Sequence, residues 1–142
     1  MISNPKHGWC DFKMEDDFNN VFFGIPSYLT NVPVDLLQAF LDYKTKGQGM
    51  AWFNEEGTEF TLVLNPYSMI IIEENEYYEG CKSNLYDFSE LSINNLIKEL
   101  IQDIENDLDR WSIFYYDCDD AEEIRVNREH IRNLICQLKE KL

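Results

Sequence analysis

Apolar positions near the start of the chain follow the spacing of short strands. In Trp9–Met14, Trp9, Asp11 and Lys13 fall on one side and Cys10, Phe12 and Met14 on the other. Phe18–Phe23 is a second candidate strand, with Glu15-Asp16-Asp17 as the turn between the two. These residues predict a strand pair.

The spacing then becomes helical, which predicts a helix from about 33 to 46. Asn31-Val32-Pro33 suits a helix start, because proline is favoured in the first turn. Asp35 suits the positive end of the helix dipole, and Gly47 is a suitable stop.

Three consecutive strands are predicted next: Met50–Asn54, Thr58–Leu64 and Met69–Glu74. Turn-forming residues separate them, and such short connections leave no room for crossover helices, so the strands form an antiparallel meander. Phe60, Leu62 and Leu64 share one face of the middle strand, as expected for a strand buried on one side. Lys82–Asp87 is a further candidate strand.

Two amphipathic helices close the chain. A five-turn apolar stripe runs from Ile93 to Trp111, with Ser92 as its candidate N-cap. The last helix is predicted from about 121 to 141, and Asp120 and Glu123 precede it at capping-box spacing. The order predicts a single α+β domain over residues 1–142: an antiparallel sheet of about five strands with about three helices, mainly on one face.

The negative charge is concentrated in the middle of the chain. The net charge is -15 over 142 residues, and residues 50–124 contribute 19 acidic and 3 basic side chains, whereas residues 125–142 carry a net +3. So strong an acidic field disfavours nucleic acid and anionic membranes as partners and favours a cationic protein surface. The basic last helix either packs against the acidic body or binds the acidic face of a second copy, so the oligomeric state is open.

The composition also limits the compartment and the chemistry. Met69–Ile72 is the longest aliphatic run, far short of a membrane span, and residues 1–9 hold no apolar signal region. We therefore expect a cytoplasmic protein with free thiols at its four cysteines. No cofactor motif is present: Gly47-Gln48-Gly49 follows a predicted helix rather than a strand.

The sequence also lacks the residue spacing that a catalytic pair or a metal site requires. His130 and Cys136 lie six residues apart on one predicted helix and so point to different sides. The segment Asp117–Glu123 fits an EF-type calcium loop at its first and third positions but places Ala121 and Glu122 at the fifth and sixth. The acids of this segment either cap the last helix, bind a partner or hold a metal in an enzyme. We expect no enzyme, no cofactor and no metal.

Acidic residues on the long helix break local preferences. Glu99, Asp103 and Asp107 are spaced four residues apart, where like charges repel. Asp107 and Asp109 also lie near the predicted C-terminus, where the dipole disfavours anions. These residues form either an ordinary solvated face or a partner surface, and we predict the latter because departures of this kind concentrate at functional sites.

Acids and tyrosines also occur together at two other places. One is the end of the third meander strand and the other precedes the last helix. The tyrosines either pack at the sheet edge or act as aromatic anchors among charges that steer a basic partner. The predicted partner-binding residues are Glu73, Glu74, Glu76, Tyr77, Tyr78, Glu79, Glu99, Asp103, Asp107, Tyr116, Asp117 and Asp119.

Three segments give the chain a resemblance to a known class. They are Ser27–Pro33, Asn54-Glu55-Glu56-Gly57 leading into the Phe60–Leu64 strand, and Ile97 to Trp111, together about a third of the chain. With the small acidic α+β character, they resemble immunity proteins of bacterial polymorphic-toxin and contact-dependent inhibition systems.

The resemblance implies a protein that binds one cognate toxin tightly, occludes its active-site surface and performs no chemistry. Many toxins of these systems are nucleases with cationic grooves, which an acidic face would fit. The alternatives are an acidic interaction adaptor or nucleic-acid mimic without a toxin partner, and a metal-dependent enzyme that uses the acids of Asp117–Glu123.

Overall fold

A computed structural model describes residues 1–75, 83–115 and 119–142, with Asn75 described by its backbone alone. Within these ranges the strands are β1 (Ile2–Lys6), β2 (Trp9–Glu15), β3 (Val21–Gly24), β4 (Gly49–Asn54), β5 (Thr58–Asn65), β6 (Ser68–Asn75) and β7 (Ser83–Asp87). The helices are α1 (Val32–Lys46), α2 (Ile93–Asn106), α3 (Leu108–Phe114) and α4 (Ala121–Lys141).

The strands form two antiparallel sheets, one with the order β1-β2-β3 and the other with the order β4-β5-β6-β7. The α+β class and the antiparallel meander are therefore confirmed. The predicted count of about five strands in one sheet is wrong, because the described residues form seven strands in two sheets.

One strand that the pattern did not predict lies at the start of the chain. β1 pairs with β2, but the register shifts between Ser3 and Lys6, and Asn4 adopts a φ of 54°. This bulge and the proline at position 5 destroy the alternation by which a strand is recognised.

The second predicted strand begins later than expected. Asp16 and Asn20 close the β2–β3 turn through a main-chain bond of 3.1 Å, and Phe18 lies inside that turn rather than in β3. The carboxylate of Asp16 stabilises the turn by accepting from the main-chain N–H of Phe18 and Asn20.

The helix predicted from Ile93 to Trp111 is two helices. Asp107 has a φ of -144° and a ψ of 41°, so α2 ends at Asn106 and α3 starts at Leu108. The apolar stripe continues across the break, since both Ile104 and Trp111 are buried. The described residues thus contain four helices instead of three.

The predicted N-caps of α2 and α4 and the predicted end of α1 are confirmed. Ser92 accepts a hydrogen bond from the main-chain N–H of Asn95, and Asp120 accepts one from Glu123. Gly47 ends α1 with a left-handed φ of 81°.

The two sheets pack together through their inner faces. Phe12 and Phe22 of the three-stranded sheet contact Phe60 of the four-stranded sheet, with ring centroids 5.0 and 4.8 Å apart. α1 covers the other part of the same inner face, where β4 approaches so closely that a Cβ at Gly49 would stand 1.9 Å from the carbonyl oxygen of Ala39. α2 and α3 pack beside β1, and α4 packs on α1 and α3.

Candidate protein-docking face

The four-stranded sheet presents a second face, which looks away from the core. In β4 the buried side chains of Ala51 and Phe53 alternate with Met50 and Trp52, which are 67% and 43% exposed. β5 alternates in the same way, with Phe60, Leu62 and Leu64 inward. Strand alternation therefore sorts one set of residues into the core and the other onto an outer surface.

Strand register arranges these outward residues in three rows across β4, β5, β6 and β7. The first row is Met50, Val63, Ile70 and Asp87; the second is Trp52, Thr61, Ile72 and Leu85; the third is Asn54, Glu59, Glu74 and Ser83. We call this surface the outer sheet face. Six of the eight residues in its first two rows are apolar, and acidic residues lie at its margins.

Within the described residues, neither a helix nor another strand packs on the outer sheet face. Leu85 is 64% exposed on the edge strand, while Val63, Ile70 and Ile72 in the two central strands are half-buried only by their neighbours. A contiguous apolar surface of this kind, bordered by polar residues, is typical of protein-interaction sites.

The acids at the margin face one another. Glu59 lies directly opposite Glu74 in the β5–β6 ladder, an arrangement in which like charges destabilise a sheet. At the opposite corner Asp87 accepts from the main-chain N–H of Ser89 at 2.9 Å, and hydrogen bonds from Ser89 lower the pKa of Asp87. These carboxylates give the apolar rows a negatively charged border that a basic partner would neutralise.

The residues predicted from the sequence occupy several different places. Glu74 belongs to the outer sheet face, whereas Glu73 is turned to the inner side, where it accepts from the Tyr86 hydroxyl at 3.4 Å. Asp119 is exposed just before α4. The predicted residues Glu76, Tyr77, Tyr78, Glu79, Tyr116 and Asp117 lie outside the described residues.

The predicted acids of the long helix bind within the chain. Glu99 and Asp103 both contact the ammonium group of Met1, and the Asp103 carboxylate lies 2.7 Å from that nitrogen and 3.1 Å from the main-chain nitrogen of Ile2. Asp107 lies 3.8 Å from Arg110. The i, i+4 spacing of Glu99 and Asp103 thus holds one buried cation, a local explanation that the sequence did not reveal.

The break at Asp107 also reverses the helix-dipole argument for Asp109. Asp109 was expected near a helix C-terminus, where the dipole disfavours an acid, but it lies in the first turn of α3, where the dipole favours it.

The basic last helix packs against the acidic body of its own chain, the first of the two arrangements left open by the sequence. Lys139 of α4 lies 2.7 Å from Glu105 of α2, and Arg128 of α4 lies 3.1 Å from Asp109 of α3. Pairs as exposed as these contribute little stability, up to about 1 kcal/mol each. These pairs neutralise Glu105 and Asp109 on the surfaces of α2 and α3. The outer sheet face therefore remains the stronger candidate for a partner-binding surface.

Other chemistry is sparse in the part of the chain that the structure describes. It contains no group of three His, Cys, Asp or Glu residues that could hold a metal ion. Cys10 is buried, and burial raises the pKa of its thiol, while Cys136 is exposed and His130 lies on the surface of α4. None of the helices in the described ranges is both long and apolar enough to cross a membrane.

An apolar cavity of about 410 Å³ lies where α3 meets the start of α4. Val126 and His130 line it, together with Asn127, which donates to the carbonyl of Ser112 at 2.9 Å. This hydrogen bond joins α4 to α3.

The sequence analysis missed the apolar residues of the outer sheet face, and it also missed Glu59 and Asp87 at the margin. For the apolar residues there was one signal in the sequence, the run Met69–Ile72, which is apolar on both faces of one strand. Comparisons with protein-family models, curated proteins and solved structures found no match to this chain.

Proposed function

We propose that this protein is a cytoplasmic immunity protein, which binds a cognate bacterial toxin through the outer sheet face and neutralises it by occluding a basic active-site surface. The observation that carries the proposal is the uncovered apolar face with an acidic border. The class is that of polymorphic-toxin and contact-dependent inhibition systems, to which the sequence bears its resemblance.

In the proposed complex, apolar residues and acidic residues make different contributions to binding. Trp52 and its apolar neighbours exclude water at the centre, which is where most interface energy is found. Glu59 at the margin attracts the Lys and Arg residues that a nuclease-like toxin uses to hold phosphates. The net charge of -15 speeds the encounter with such a partner and fixes its orientation.

The same charge argues against two other occupants of the face. A second copy would bring two acidic borders together, and each copy carries -15. A nucleic-acid mimic needs a long array of free carboxylates, but Glu105 and Asp109 are paired with cations of α4. A toxin domain with an apolar centre and a basic border fits better than either.

The test is co-expression with any basic, toxin-like domain that a neighbouring reading frame encodes. We expect the wild-type protein to protect cells and to bind that domain directly. Trp52→Ala removes an anchor and should weaken binding by about thirty-fold or more, which corresponds to about 2 kcal/mol. Val126→Ala, a substitution of an exposed apolar residue on α4, is the matched control and should leave binding unchanged.

Charge is tested in parallel. Glu59→Lys should slow association, most strongly at low salt, whereas Glu140→Lys makes the same change in net charge at the exposed end of α4 and should have a smaller effect. Failure to protect cells, together with the absence of binding to any basic neighbour, would overturn the proposal. Selective binding to DNA-binding proteins would favour the mimic instead.

A further inference from the structure

A second surface, unrelated to the outer sheet face, lies along the free edge of β3. This strand pairs with β2 on one side only. The main-chain N–H of Cys10 donates to the carbonyl of Pro26 at 3.1 Å, and the main-chain N–H of Tyr28 donates to the carbonyl of Gly8 at 2.8 Å. The even-numbered residues of this segment therefore direct their main-chain groups to β2. Because main-chain groups alternate along a strand, Val21, Phe23 and Ile25 direct their N–H and C=O groups to the free edge.

The far half of this edge is filled by the end of β4. The N–H of Ile25 donates to the carboxylate of Glu55 at 2.8 Å, and the N–H of Ser27 donates to the carbonyl of Asn54 at 2.8 Å. These contacts cap the edge with one charged side chain and one main-chain group, and they end before Phe23.

The half of the edge formed by Val21 and Phe23 is not paired with another strand among the described residues. Among the described residues, the N–H groups of Val21 and Phe23 have no hydrogen-bond partner, and their side chains are 49% and 54% exposed. β3 contains no charged residue and no proline, which are the usual means of blocking an edge. Two residues with free main-chain groups and outward apolar side chains are what strand addition requires.

Charge decides between the occupants of this edge. Two copies pairing antiparallel through β3 would place the Asp16–Asp17 turn of one copy beside Glu55 of the other, at both ends of the contact. A separate strand with a basic residue at each end would instead meet acids at both ends. We propose that the open edge of β3 binds, by strand addition, an extended segment of a partner protein that has alternating apolar residues between two basic ones.

A designed peptide tests this inference independently of any toxin. The probe is the capped peptide Lys-Thr-Val-Thr-Val-Thr-Lys, and its counterpart has Glu at both ends. We expect the basic peptide to shift the amide NMR signals of Val21 and Phe23 and to bind about ten-fold or more tightly than the acidic one, a difference that falls with salt.

Val21→Pro removes one free N–H without removing a β2–β3 hydrogen bond, and Val21→Thr keeps that N–H and the branched shape. We expect Val21→Pro to weaken peptide binding about ten-fold or more and Val21→Thr to leave it within about two-fold. If Val21→Pro does not fold, the comparison of the two peptides on the wild-type protein still decides the matter.

Three results would overturn the proposal. They are no binding of either peptide at millimolar concentration, equal binding of both peptides, and full binding to a folded Val21→Pro protein. Self-association of the wild-type protein that Val21→Pro abolishes would assign the edge to a second copy.

Discussion

Asp35 supplies the sharpest test of the energetics of this fold. It lies half-buried in the first turn of α1, and burial raises the pKa of its carboxyl from its ordinary value of 3.8 to about 6. Its side chain makes no hydrogen bond within the described residues. The ionised form is therefore less favourable in the folded protein than in the unfolded chain, and Asp35→Asn should relieve the difference.

The direction in which stability changes with pH follows from proton linkage. Because the folded pKa is the higher one, the folded state binds more protons between pH 4 and 6, so this group stabilises the fold fully below about pH 3.8 and its contribution is lost as pH rises through about 6. The shift corresponds to at most about 3 kcal/mol. Remaining solvent contact and the positive end of α1 reduce this to about 1–2 kcal/mol.

The assay is urea unfolding of the wild type and Asp35→Asn between pH 4 and 8. We expect equal stability near pH 4 and a variant more stable by about 1–2 kcal/mol at pH 7. The titration of the other 26 acidic side chains largely cancels in this difference. A difference that does not change with pH, or a variant less stable at pH 7, would refute the reasoning.

Asp42 on the same helix is the matched control of opposite sign. Its carboxylate accepts from Lys46 at 2.9 Å and from Gln38 at 2.9 Å, and the bond from Lys46 lowers its pKa. The stability that this group contributes is present above its unfolded pKa and is lost as pH falls through the lower folded value. Asp42→Asn should therefore destabilise at pH 7, and the loss should shrink on acidification.

Three further substitutions test the packing and the helix ends. Gly49→Ala places a methyl group 1.9 Å from the carbonyl oxygen of Ala39 and should cost about 3 kcal/mol or more, measured as a lower midpoint of urea unfolding. Asp103→Asn weakens the binding of the Met1 ammonium and should cost about 1–2 kcal/mol, a loss that salt reduces. Asp120→Ala removes the N-cap of α4 and should cost about 1 kcal/mol, with a matching loss of helical circular dichroism on heating.

Most helices and strands could be predicted from the sequence because their buried residues recur at regular intervals. The stripe of α2 and the alternation of β5 each give one buried face, and both were predicted from spacing alone. β1 was missed because a bulge at Asn4 interrupts its period. The break at Asp107 was missed because Ile104 and Trp111 still fall on one face, so a change in backbone direction left no trace in the pattern.

The site was harder to predict because it depends on which residues become neighbours. The acids of α2 stand out in the sequence, but the Met1 ammonium that holds Glu99 and Asp103 lies about a hundred residues away. The outer sheet face depends on register, since only pairing places Trp52 beside Thr61 and Ile72. Of its acidic residues only Glu74 was predicted; Glu59, Asp87 and the apolar residues were not.

Strand alternation in the four-stranded sheet has a consequence for how such a protein changes over generations. Phe53 and Phe60 fill the core, while Met50 and Trp52 on the outward side contact solvent. Outward positions can therefore be exchanged at the modest cost of β-propensity, up to about 1 kcal/mol each, without reshaping the interior. A combinatorial library confined to those positions should therefore yield mostly folded members, so the outward side of the sheet can vary independently of the core.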